Sequence, residues 1–152
     1  MWVYVDGACL HNGTSCARAG YGVWFGNNHP LNCSGNVPGW QTNQRAEIQA
    51  AIVAVSIAIE EQMDSLEIYT DSMYVINGAL SWIEMWRHNN WLTSRGEQVA
   101  NLDKWLELDD AMHYYWDCGG DLFFTHVPGH SGVFGNVQAD QMARDAACGC
   151  LF

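Results

Sequence analysis

Two aspartates restrict this chain more than any other residues, because each ends an apolar run. Asp6 follows Trp2-Val3-Tyr4-Val5, and Asp71 follows Leu66-Glu67-Ile68-Tyr69-Thr70. Alternating, β-favouring runs of this kind read as strands. A carboxylate at the end of a buried strand must be paired or bound to a metal, since an isolated ionised group is costly to desolvate. Glu47 in NQRAEI and Asp140 in NVQADQMA are two further acids with their own local settings. If the four converge they repel one another unless cations sit between them, and hard oxygen ligands of this type suit Mg²⁺.

The chain's organisation lets them converge. Residues 2–9, about 19–27 and about 30–37 read as three successive strands, broken by the polar stretches LHNGTS and GNNHP. The period then changes. Ile48, Ala51, Ile52, Val55, Ile59 and Met63 recur at helical spacing between Thr42 and Met63, and Glu47 lies beside that stripe. A fourth strand, about 65–70, ends at Asp71. A short helix over about 72–80 follows, then a second containing Trp82, Ile83 and Trp86. After the polar excursion RHNNWLTSR, the spacing of Val99, Leu102, Leu106 and Met112 predicts a helix over 96–116, broken by Gly119-Gly120. Leu122 to Val127 reads as a fifth strand, Pro128 to Gly132 as a loop, and 134–148 as a last helix carrying Asp140. The expected fold class is therefore α/β, a mixed five-stranded sheet with its first three strands antiparallel and helices flanking it.

Length and composition set bounds. With 152 residues, 49% of them hydrophobic, the chain suits one domain with a sizeable core. No apolar run is long enough to span a bilayer, and Met1 leads into a strand without a basic leader, so the expectation is an intracellular monomer with no membrane partner. The six cysteines (Cys9, Cys16, Cys33, Cys118, Cys148, Cys150) show neither CxxC spacing nor a compact disulfide framework. Reduced thiols are expected, with Cys148 and Cys150 the pair most open to oxidation. Net charge is −11, with 17 acids against six Lys plus Arg, and Lys104 is the only lysine. Nucleic-acid binders usually carry a basic footprint, so composition alone argues against such a partner. The motifs argue for one and carry more weight, because net charge governs solubility and association rates more than chemistry.

The segments VYVDGA, RAGYGVWFG, HPLN, GWQTN, TNQRAEI, YTDSMYVING, NNWLTS and HVPGHSGVFGNVQAD follow one another in order. With them the chain resembles a type 1 ribonuclease H catalytic domain over nearly its whole length, and TNQRAE and HPLN place it nearest the eukaryotic-type branch. The resemblance implies the ribonuclease H-like fold and hydrolysis of the RNA strand of an RNA/DNA hybrid. It implies that Asp6, Glu47, Asp71 and Asp140 hold two Mg²⁺, with Mn²⁺ as a substitute, and that the products carry 5′-phosphate and 3′-hydroxyl ends. His130, in the VPGHSG loop, suits proton transfer or product release. By the same resemblance, Cys9, Asn12, Asn43, Gln44 and Met73 contact the RNA strand. A carboxamide both donates and accepts, which suits reading a 2′-hydroxyl. Tyr74, Trp82 and Ser94 form a channel for the DNA strand, and Thr42 and Asn101 a pocket for one of its phosphates. Thr42 or Asn43 also reads as a helix cap.

The chain departs from the eukaryotic-type pattern in two places. Trp40 stands where relatives commonly place an arginine in the phosphate pocket, and the 87–95 excursion carries only Arg87 and Arg95. Losing a permanently charged bidentate fork weakens the grip on a phosphate, so weaker hybrid binding is expected. Relatives often carry a separate N-terminal hybrid-binding domain, whereas this chain begins at its first catalytic strand and is read as one catalytic domain over 1–152. The readings weighed against this one are an integrase, a resolvase or a reverse-transcriptase-associated nuclease, a catalytically weak hybrid-binding or partner-binding module, and a small-molecule metallohydrolase. GHSG with TNQRAE opposes the integrase and resolvase. The complete acid set opposes the idle module, and the six histidines lack the spacing of a His-rich metal site.

Overall fold

In the computed structural model, which describes residues 1–149, three strands come first: β1 (Trp2–Leu10), β2 (Arg18–Trp24) and β3 (Cys33–Asn36). Helix α1 (Asn43–Glu60) and strand β4 (Ser65–Thr70) follow, then α2 (Met73–Asn77), α3 (Ile83–His88) and α4 (Leu102–Asp117). Strand β5 (Asp121–His126) and helix α5 (Phe134–Cys148) complete the order. The strands form one sheet in the order β3-β2-β1-β4-β5. The first three pair antiparallel, and β1, β4 and β5 run parallel to one another. This is the mixed sheet expected from the alternation of periods.

Several boundaries differ from those expected. β2 stops at Trp24 and β3 begins only at Cys33, because Asn32 replaces the ladder between them. Its Oδ1 accepts from the Phe25 N–H at 2.6 Å and its Nδ2 donates to the Gly26 carbonyl at 2.7 Å. α4 begins at Leu102 rather than Gly96. Asn101 takes the left-handed φ of 60° that halts a helix, and Leu92 bridges to Gln98 to close a turn. The two helices expected between 72 and 88 form one rod, α2 and α3, joined by a π-helical turn over Gly78–Trp82. That widened turn sits where the chain lies against Trp105: a Cβ on Gly78 would come within 2.1 Å of the indole.

The core lies on both sides of α1. Val3, Val5, Leu66 and Ile68 of the sheet meet Ala50, Ala54, Val55 and Ala58 of the helix. On its other side Ile48, Ala51 and Ile52 pack with Val75, Ile83, Trp105, Leu108 and Met112. A helix enclosed in this way has apolar residues nearly all round, which the run of alanines and isoleucines supplies. α5 covers the opposite face, where Ala139, Ala143, Ala146 and Ala147 are fully buried.

Glycines set both helix-to-sheet distances. A Cβ on Gly22 would lie 2.3 Å from the Ala139 carbonyl oxygen, and one on Gly7 would lie 2.4 Å from the Glu47 nitrogen. α5 and α1 can therefore touch the strands directly, at the two points where Asp140 and Glu47 are carried. Among the described residues no helix is long and apolar enough to cross a membrane. Cys9, Cys16, Cys33 and Cys118 are free thiols, while the expected Cys148–Cys150 pair cannot be placed, since Cys150 lies outside the described residues.

Candidate active site

The β1–β4 pairing ends at Tyr4 opposite Tyr69, and beyond it the two strands part. Asp6 and Asp71 stand at this opening, at the carboxyl end of the parallel strands, where open α/β sheets place ligands. Asp6 lies opposite Gly22 of β2, and Asp71 directly follows β4. Glu47 enters from the start of α1, whose N-cap is Thr42: its hydroxyl accepts from the Arg45 N–H. Asp140 enters from α5. One cleft of about 280 Å³ is lined by all four acids together with Cys9, Asn43 and His130.

Carboxylate oxygens of Asp6, Glu47 and Asp71 lie within 4.8 Å of one another, and Asp6 and Glu47 are buried. The Gly7 N–H donates to both Asp6 and Glu47. Asp71 accepts from the Asn136 side chain at 3.2 Å. Those few donors do not offset the crowding. Burial pushes the Asp6 carboxyl far up from the ordinary range, and the neighbouring Glu47 and Asp71 charges add to it. Glu47 is also raised, again chiefly by burial, with hydrogen bonds from its neighbours acting in the opposite direction. A divalent cation bound there would remove both penalties at once. Three clustered oxygen donors in a cleft open to solvent fit such an ion, Mg²⁺ or Mn²⁺, by donor chemistry.

The loop after β5 closes one side. A Cβ on Gly129 would reach the Asp71 carboxylate at 3.0 Å, and His130 follows with a left-handed φ of 54° and an exposed side chain. Asn12 lies in the turn after β1 and accepts from the Asn43 N–H at 3.3 Å, so that turn is tied to the start of α1. Asn43 and Gln44 are both exposed there, and Met73 is exposed at the start of α2.

The residues expected at the DNA strand form a second group. Asn101 donates to the Tyr74 hydroxyl at 3.0 Å, and Tyr74 and Trp82 meet edge to face at 5.6 Å. Trp82 is half-buried against Trp86 and Trp105, and so belongs partly to the core. The bidentate pair of Arg45 with Asp103 draws the starts of α1 and α4 together, with Thr42 and Asn101 beside it. Ser94 is exposed in the 89–101 turn and does not line the acid cleft. Trp40 is 82% exposed, while its carbonyl accepts from Arg45 Nε at 2.9 Å.

Two side chains at the cleft escaped the sequence reading. Asn136 is buried against Asp71, and Arg144 lines the cleft in an ion pair with Asp140. Both lie four residues from Asp140 on α5, so the spacing of 136, 140 and 144 was the available signal.

A mixed sheet in this order, with acids gathered at the carboxyl end of its parallel strands, defines an α/β protein of the ribonuclease H-like class. A family model described as RNase H matches residues 1–148, and the chain belongs to that family. It is 47% identical over 145 residues to Ribonuclease H1 of Rattus norvegicus, across 95% of this chain and 49% of that one. It is 36% identical over 147 residues to Ribonuclease H of Bartonella quintana, across 95% of this chain and 86% of the other. Against the mammalian relatives it thus spans about half their length. The solution structure of the PFV RNase H domain shares the fold, with a TM-score of 0.76 at 23% identity over 97% of this chain and 93% of that one.

Proposed function

We propose that this chain hydrolyses the RNA strand of RNA/DNA hybrids, with two Mg²⁺ held by Asp6, Glu47, Asp71 and Asp140. The observation that carries the reading is the set of three carboxylates within 4.8 Å, two of them buried, in a family of ribonucleases H. When bound, such a metal pair supplies the charge that activates the attacking water and stabilises the leaving oxygen of an in-line displacement. The products would then carry 5′-phosphate and 3′-hydroxyl ends.

The protein's own groups do the positioning. The Gly7 N–H donates to Asp6 and Glu47 and the Asn136 side chain to Asp71, which orients the three carboxylates. His130, exposed at the cleft's rim, carries a proton at a ring nitrogen toward or away from the departing product. Asn12, Asn43 and Gln44, with Cys9 and the backbone near Met73, face the 2′-hydroxyls that distinguish RNA from DNA. Thr42 and Asn101, at two neighbouring helix starts, receive a phosphate of the DNA strand, where the helix dipoles favour an anion. Tyr74, Trp82 and Ser94 flank the path of that strand.

The test is a hybrid labelled on either strand, incubated with the protein and Mg²⁺ beside RNA/RNA and DNA/DNA duplexes. Cleavage confined to the RNA of the hybrid is expected. Equal cutting of the three duplexes, or cutting of the DNA strand, would overturn the assignment.

A further inference from the structure

Among the described residues, Arg144 is the only lysine or arginine lining the acid cleft. Of the other basic residues, Arg45 and Lys104 are buried and engaged with Asp103 and Glu107, and Arg87 pairs with Asp109. Arg144 Nη2 donates to Asp140 Oδ2 one helical turn away, and among the described residues Asp140 alone of the four acids has an ion-pair partner. Asp140 reaches Asp6 but falls outside the group whose ligand atoms all lie within 4.8 Å of one another, Asp6, Glu47 and Asp71. The two side chains differ in exposure: Asp140 is 17% exposed and Arg144 is 54% exposed. The arginine can therefore swing into solvent, while the carboxylate stays in the cleft.

We propose that Arg144 is a tethered cation that competes with a divalent ion for Asp140 and so sets the affinity of the weaker metal step. With the ion absent, the guanidinium neutralises the Asp140 carboxylate through the ion pair one helical turn away. With the ion bound, Asp140 turns its oxygens to the metal and Arg144 is released to the cleft mouth. The trio keeps the tighter step, because among the described residues no basic side chain pairs with Asp6, Glu47 or Asp71. This role is a positioning one: Arg144 acts through Asp140, and the inference rests on the metal reading above.

Calorimetric titration of the whole chain with Mn²⁺ alone, without nucleic acid, tests it. In Arg144→Gln the weaker step should tighten about three- to fivefold, the range of a partly exposed ion pair, and the tighter step should stay unchanged. Arg144→Lys should fall between Arg144→Gln and wild type, since an ammonium pairs with a carboxylate without the planar fork. A general loss of positive charge is separated by a double-mutant cycle: in an Asp140→Asn background the tightening should vanish. If Arg144→Gln leaves both steps unchanged, or the tightening survives in Asp140→Asn, the competition is refuted while the metal reading stands. If wild type binds no Mn²⁺, both are refuted.

Discussion

Arg45 grips both carboxylate oxygens of Asp103, at 2.7 and 2.8 Å, and so fixes the start of α1 against the start of α4. Its guanidinium also donates to the Trp40 and Pro38 carbonyls, so one buried side chain joins two helices and the loop before α1. Arg45→Met should cost about 2–4 kcal/mol in urea unfolding, because two loop carbonyls and the Asp103 carboxylate lose the donor that a buried side chain supplies. Asp103→Asn should cost about 1–2 kcal/mol, since water reaches that exposed carboxylate.

The same pair predicts a pH dependence. The Arg45 hydrogen bonds hold the Asp103 carboxyl down, from the ordinary 3.8 to about 2. A depressed folded value adds stability above the unfolded value, and that stability is lost as pH falls through the folded one. The gap between wild type and Asp103→Asn should therefore be flat from about pH 5 to 8 and shrink between about pH 4 and 2. A gap that widens on acidification would contradict the pairing.

Crowded acids should make the metal-free protein less stable than it need be. Asp6→Asn removes one of three mutually repelling groups, so it should raise the melting temperature in EDTA while reducing the rise on adding Mg²⁺. Equal Mg²⁺ stabilisation of both proteins, read by calorimetry, would place the ion elsewhere.

Trp40 projects into solvent from a backbone already pinned by Arg45. Trp40→Arg should leave the melting temperature unchanged and lower the KM for a hybrid severalfold, by restoring a bidentate phosphate ligand beside Thr42 and Asn101. Unchanged hybrid binding would show that the substitution at position 40 does not limit the grip.

His130 can be separated from the acids by kinetics. His130→Ala should lower kcat by about 10- to 100-fold with Mn²⁺ affinity intact, as expected for a proton carrier outside the metal ligands. A matching loss of Mn²⁺ binding would make it a ligand instead.

The acid site was legible where burial and chemistry conflict. Asp6 and Asp71 announced themselves by ending apolar runs, although β1 continues past Asp6 to Leu10, and Glu47 by lying beside a helical stripe. What the sequence hid was mostly local substitution of one bonding pattern for another. Asn32 supplies side-chain bonds where ladder bonds were expected, which shortens β2 and β3. Val99 keeps helical phase with Leu102 and is buried, yet it belongs to the turn before Asn101. The close approaches at Gly7 and Gly22 depend on which strand face meets which helix, and that is a property of topology. Arg144 was overlooked because an arginine on the polar side of a helix is ordinary until its neighbour is known to line a cleft.

The most direct measurement is the rate of RNA-strand cleavage in a labelled hybrid against free Mg²⁺, for wild type and Asp71→Asn. Wild type should show saturable, EDTA-sensitive cleavage, and a folded Asp71→Asn should lose at least about a thousandfold, as expected when a metal ligand of the reacting centre is removed. Cleavage that persists in EDTA, or at near-wild-type rate in Asp71→Asn, would contradict the metal assignment.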